Sequence, residues 1–168
     1  AKELSLQWAL LEEAELPITH FDSHHYIQRI ATVYPTYSQL ARDVGLPLRH
    51  TFQFPRNYNY EKYEEILSTK ADLPESHPPT TDTFIGDIYF ENDRIKRLQQ
   101  HIRTLSTGTT EINCHPGYVD DELKILSAWT TYRETELDTL THPTIKQALQ
   151  EKEVELVTFR GLALSSTT

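Results

Sequence analysis

The first segment, AKELSLQWALLEEAEL, repeats apolar side chains at Leu4, Trp8 and Leu11, spacings of four and three that predict one helical stripe, and Pro17 lies just past its end. In PITHFDSH the period shortens to two, which predicts a strand with Ile18, His20, Asp22 and His24 on one face and Thr19, Phe21, Ser23 and His25 on the other. YPTYSQLARDVGLP reads as a helix closed by Gly45 and Pro47, and LPLRHTF as a short strand after it. Residues 54–82 are irregular in pattern, with a short helix expected around YEKYEEILS and a Pro-rich loop, DLPESHPPTTD, as a candidate rim or lid.

In the second half, NDRIKRLQQHIRTLSTG sets Ile95, Leu98, Ile102 and Leu105 at helical spacing, with Asn92 as the expected cap and Gly108 as the stop. TTEINCHPG follows as a strand, DDELKILSAWTTYRETELDTL as partly helical, HPTIKQALQEK as a helix with Pro143 in its first turn, and VELVTF as a last strand. Strands alternating with helices imply an α/β architecture with a parallel sheet, in which working groups gather at the carboxyl ends of strands. No internal repeat or linker divides the chain, so one domain over 1–168 is expected.

Composition narrows the function classes. A formal net charge of -9 and a pI near 5.3 disfavour nucleic acid and anionic membrane, both of which require Lys/Arg surfaces. No apolar run approaches the roughly 20 residues needed to span a bilayer. Cys114 is the single cysteine, which excludes an internal disulfide framework and makes the reducing cytoplasm the simpler expectation. The chain opens on Ala1 and contains no methionine, so a processed terminus or a fragment is expected.

Two clusters carry candidate chemistry. A covered parallel strand is ordinarily apolar, so a face made of His20, Asp22 and His24 is unusual; imidazole and carboxylate can bind a divalent ion, and polar loop residues are the bland alternative. In EINCHPGYVDDEL, Glu111, Asn113 and His115 share a face while Ile112 and Cys114 point the other way. A histidine at a strand end before the Pro116–Gly117 turn suits general acid or base work, or it caps a buried carbonyl. Cys114, facing away from its neighbour, reads as a core thiol. The tyrosines of PRNYNYEKY offer ring faces to a sugar or simply pack. Arg133 and Glu136, three apart on a helix, read as a surface ion pair outside the site, and EEAE and EKEVE as solvated faces.

Taken together, PITHFDSHHYIQ, EINCHPGYVDDEL and YRETELDTLTHPTIKQAL, in that order, resemble the YdjC-like carbohydrate deacetylases, over about Ala1 to Leu162. The resemblance implies a (β/α) barrel-like fold, here an incomplete barrel lacking its N-terminal strands. It also implies metal-dependent removal of an acetyl group from N-acetylated sugars such as chitooligosaccharides. In the family the ion, magnesium or zinc, is held by an aspartate of an N-terminal Asp-Asp-Phe-Gly string, by a histidine on a following strand, and by the first histidine of a Ser-His-His string. The last is His24 here; the first two have no counterpart in this sequence, and the family's base, on the same Asp pair, is absent with them. Tyr26 and Gln28 stand where the family often has further histidines.

By that resemblance His115 and Asp22 are the candidate catalytic residues, His115 as proton donor or oxyanion stabiliser. His20, His25, Glu111 and Tyr118 are the substrate-side or surrounding groups. The expected partner is an N-acetylated oligosaccharide, with no nucleic acid and no membrane; a homodimer is one option for the assembly. The rival from another class is a non-catalytic carbohydrate-binding or structural α/β module, and a third is a hydrolase of a different amide.

Overall fold

The computed structural model describes residues 2–49, 77–86, 88 and 93–165, and the side chains of those up to 162. It divides into two compact units, one of Ala1–Thr83 with Val157–Thr168 and one of Phe84–Leu156.

In the first unit, α1 (Lys2–Glu13) is followed by a 3-10 segment (His24–Arg29) and α2 (Tyr34–Asp43). Pro35 lies in the first turn of α2, where its missing N–H costs no hydrogen bond. The spacing of Tyr34, Tyr37, Ser38 and Ala41 buries one face of this helix, and Tyr34, Tyr37 and Leu48 form the core on which Leu4 and Phe21 pack. Gly45 ends the helix at φ 70, with Gly45 N–H on the Arg42 carbonyl and Leu46 N–H on that of Ala41. This is the Schellman arrangement, and it requires the left-handed conformation that glycine adopts without a Cβ clash.

The expected strand over PITHFDSH is reduced, among the described residues, to a single parallel bridge between Phe21 and Leu48. Phe21 N–H donates to the Pro47 carbonyl and Arg49 N–H to that of Phe21, both at 2.8 Å. Extended pairing stops at Ser23 because its carbonyl accepts from Tyr26 N–H at 3.2 Å and its hydroxyl from Gln28 N–H at 3.2 Å, which curls the chain into the 3-10 segment. The strand alternation that was to put His24 on the face of His20 and Asp22 therefore does not reach His24.

The second unit comprises β1 (Thr83–Ile85, from Phe84), α3 (Arg94–Arg103), β2 (Thr110–Ile112), α4 (Asp121–Leu126), α5 (Arg133–Thr141) and α6 (Pro143–Glu151). β1 and β2 pair in a small parallel sheet, which makes the whole a mixed α/β chain. Leu98 and Ile102 of α3 and Ile145 and Ala148 of α6 form the core with Ile88, and Ile112, Cys114 and Trp129 pack against it. Cys114 is thus a core thiol, as its strand position predicts. The cap of α3 is Asp93, whose carboxylate accepts from Lys96 N–H, and not the expected Asn92, which lies outside the described residues. His142 caps α6 by accepting from Thr144 N–H.

VELVTF does not form the expected strand: residues 154–158 are irregular, Leu156 and Val157 are exposed, and Phe159 opens α7 (Phe159–Ser165), back in the first unit. Apolar residues that face solvent gave that segment a pattern without the burial it implies. β1 lies in a stretch the periodicity left unassigned. The expected helix around YEKYEEILS and the tyrosines of PRNYNYEKY lie outside the described residues, as do residues 72–76 of the Pro-rich loop.

Candidate functional site

The histidine-rich cluster lies in the first unit. Asp22 accepts from Arg49 Nη1 at 2.7 Å with one carboxylate oxygen and from Ser23 N–H at 2.7 Å with the other. Both of its oxygens are engaged before any substrate arrives. His20 stacks on Phe159, ring centroids 4.0 Å apart and planes 10° from parallel, and its Nδ1 shares a hydrogen bond with the Thr19 hydroxyl at 3.0 Å. His24 and His25 are exposed, with ring centroids 4.1 Å apart.

The backbone beneath them is strained. His25 and Tyr26 have φ of 56° and 57°, a conformation that costs an L-residue about 1–2 kcal/mol. The Arg29 guanidinium over the Tyr26 ring at 4.6 Å, and that of Arg49 at 5.6 Å, return part of this through cation–π attraction. Gln28 and Arg29 are fully buried, so the segment hangs from its C-terminal end while its histidines face outward.

A divalent ion was expected at His24. Among the described residues, no three His, Cys, Asp or Glu side chains come together in a set that could hold a metal ion, and Asp22 is paired with Arg49. The residues present therefore do not fit a divalent ion on their own, since such sites take at least three protein ligands or a carboxylate cage.

The second cluster lies at the end of β2 in the other unit. Glu111 and Asn113 are buried on one side while Ile112 and Cys114 pack on the core, so the period-two reading holds through this strand and just past it. His115 follows, its ring edge-on to Trp129 with centroids 5.8 Å apart. Tyr118, after the Pro116–Gly117 turn, is 84% exposed and presents an open aromatic face.

What fixes this loop is the start of α5. Glu136 accepts from the His115 backbone N–H at 2.5 Å, and Arg133 Nη1 reaches the His115 carbonyl at 3.5 Å while its Nε donates to the Trp129 carbonyl at 2.8 Å. Gly117 N–H donates to the Arg133 carbonyl at 3.3 Å and Val119 N–H to Glu134 Oε1 at 3.2 Å. Glu136 is 0% exposed, and its Oε1 has no hydrogen-bond partner among the described residues. Burying a carboxylate costs several kcal/mol unless it is compensated, and here the compensation comes from the His115 peptide and from its place in the first turn of α5, where the helix dipole favours negative charge.

The surface ion pair expected of Arg133 and Glu136 is thus corrected. The two do not pair on a solvated face; each holds a different end of the His115 residue. Their i, i+3 spacing is that of an ordinary helix pair, and the contact that buries Glu136 comes from a loop 21 residues earlier. Trp129 and Arg49 likewise stand next to expected site residues without having been singled out.

The family profile of YdjC-like proteins matches residues 1–151. Over 144 residues the chain is 30% identical to a carbohydrate deacetylase of Clostridium beijerinckii, covering 86% of this chain and 53% of that protein. It is 34% identical to a carbohydrate deacetylase of Thermoanaerobacter pseudethanolicus, covering 84% and 51%, and 30% identical to a chitooligosaccharide deacetylase of Yersinia pestis, covering 85% and 52%. The chain thus spans about half the length of these curated relatives. A crystal structure of a candidate cellobiose-phosphate cleavage protein from Enterococcus faecalis V583 superposes with a TM-score of 0.68 at 25% identity, covering 89% of this chain and 55% of that one. Matched over most of its length, this chain belongs to the YdjC-like family.

Proposed function

We propose that this chain is part of a carbohydrate N-deacetylase that hydrolyses the acetamide of an N-acetylated sugar such as a chitooligosaccharide. The observation that carries this reading is the anchored His115 at the end of β2, in a chain whose curated relatives are named carbohydrate and chitooligosaccharide deacetylases. Amide hydrolysis needs a proton for the leaving amine, and an imidazole that titrates near neutrality can hold and deliver it. In this reading His115 is that donor, Tyr118 offers its exposed ring to the apolar face of a sugar, and Glu111 lies buried beneath the same strand end. On the other unit, His20 and His25 are substrate-side groups and Asp22, paired with Arg49, orders the backbone ahead of His24.

The reading calls for a divalent ion, magnesium or zinc, toward which His24 is the expected ligand among the described residues; the Asp-Asp string has no counterpart in this sequence. It also implies a (β/α) barrel-like fold for the family's domain. The parallel pairing at Phe21–Leu48 and in β1–β2 supports that. A cytoplasmic setting fits a sequence whose single cysteine is Cys114.

Acetate release from N-acetylated chitobiose, measured on the 168-residue chain and on any longer form carrying the Asp-Asp string, tests the proposal. The longer form should release acetate, the short one should not, and His115→Ala in the longer form should lower the rate by about 100-fold or more. Equal activity of the short chain, or an unaffected His115→Ala variant, would refute it. A longer form that binds chitobiose without releasing acetate would favour a non-catalytic carbohydrate-binding module, a reading that the full engagement of Asp22 by Arg49 and Ser23 also suits.

A further inference from the structure

The geometry points to Glu136, with Arg133, as the positioning pair for His115. A side chain at a strand end inherits whatever freedom its own backbone has, and His115 sits where β2 has already ended and the Pro116–Gly117 turn begins. Such a position ordinarily lets the ring wander. Here the N–H on one side of the residue is taken by a fully buried carboxylate at 2.5 Å, and its carbonyl on the other side lies within reach of Arg133 Nη1 at 3.5 Å.

Arg133 and Glu136 are one helical turn apart on α5, so their separation is set by a rigid element. Arg133 is itself oriented by its Nε on the Trp129 carbonyl, and Trp129 supplies the aromatic ring against which the His115 ring is set. Backbone and ring are therefore referred to the same short stretch, 129–136. A charged acceptor makes a stronger hydrogen bond than a neutral one, and enclosure away from water strengthens it further. A lone buried carboxylate is an expensive way to hold a loop, since a neutral acceptor would suffice for that. What it adds is stiffness at one peptide, that of the candidate proton donor. The positioning role concerns how His115 is held; only the consequence for catalysis rests on the deacetylase reading above.

Residue-resolved NMR on the 168-residue chain provides the test. In the unaltered protein the His115 amide should exchange at least about 100-fold more slowly than an open loop amide, and its ring protons should carry the displacement expected from the Trp129 ring. A His115 amide that exchanges like open loop overturns the proposal whatever the variants do. Glu136→Ala should lower that protection by about 10-fold or more and collapse the ring-proton displacement. Glu136→Gln, whose carboxamide oxygen can still accept but carries no charge, should keep the ring-proton displacement and lose less of the amide protection than Glu136→Ala does. Ile145→Val, which loosens the same core away from the clamp, should leave the ring signals in place; if it moves them as Glu136→Ala does, the role is merely structural and the proposal fails.

In any longer form that releases acetate, Glu136→Ala should lower kcat by about 100-fold with KM changed less than about twofold, and Glu136→Gln should restore most of the loss. Intact NMR signatures without acetate release from any form would remove the deacetylase reading and leave the positioning role standing. Acetate release that survives Glu136→Ala, with unchanged ring signals, would remove the positioning role alone.

Discussion

The hydroxyls of Tyr34 and Tyr37 couple the first unit's core to alkaline pH. Burial raises the Tyr37 phenol above its ordinary 10.0; a hydrogen bond with Ser23 works against this and the charge of Asp22 with it. Burial likewise raises Tyr34, opposed by a hydrogen bond with Ser38 and by the Arg42 cation. An acid whose folded value lies above its unfolded one keeps its proton more firmly in the native state. Its contribution is whole below pH 10 and is lost as pH climbs through the raised value. Urea unfolding at about pH 9 and about pH 11 should show the wild-type protein losing stability across that interval, and the Tyr34→Phe, Tyr37→Phe double variant losing less. Equal losses would mean the two phenols titrate alike in the folded and unfolded chain. The carboxylate of Asp93 moves the opposite way, lowered by its hydrogen bonds from Lys96, so its contribution holds at neutral pH and fades in acid.

At the scale of the element, helix ends differ in how they are written. Gly45 closes α2 and is read directly from the chain, because only glycine takes a φ of 70 without cost. Yet α1 and α6 close in the same way with glutamates: Glu15 at φ 50 and Glu153 at φ 54, each followed by a residue whose N–H returns to the helix, Leu16 to Leu11 and Val154 to Leu149. Glu153→Gly should therefore stabilise the protein by about 0.5–1 kcal/mol, and Gly45→Ala should cost about 1 kcal/mol, in chemical denaturation. The added Cβ at Gly45 meets nothing within 4 Å, so that cost is backbone alone. A destabilising Glu153→Gly would show that the glutamate side chain contributes more than its backbone conformation takes away.

The same contrast governs what could be read in advance. The stripes of α2, α3 and α6 and the alternation of Glu111, Ile112, Asn113 and Cys114 are local patterns, and the fold keeps them. The segment at His20–His24 shares that alternation on paper, but a strand needs partners, and Ser23 bonds to Tyr26 and Gln28 instead. Glu136 shows the limit from the other side. Nothing in its own helix marks it as buried, since its enclosure is created by the 115–119 loop folding onto α5.

For the whole molecule, the ligand inventory sets the expectation for ions. Among the described residues, the exposed imidazoles of His24 and His25 and a carboxylate already paired with Arg49 do not fix a cation. Isothermal titration of the 168-residue chain with zinc or magnesium should give a Kd of about 1 mM or weaker, unchanged beyond about twofold by His24→Ala. Micromolar affinity lost on that substitution would show a ligand set that these residues do not reveal.

The outer row of α1 has its own consequence. Leu6 and Leu10 stand 63% and 65% exposed on a helix with no buried residue. Excluded salts sharpen the penalty for such wetted hydrocarbon, so in a rising sulfate gradient the protein should precipitate early despite its charge of -9. Leu6→Gln with Leu10→Gln should delay that precipitation with little loss of melting temperature, because those side chains stay mostly in water in the fold.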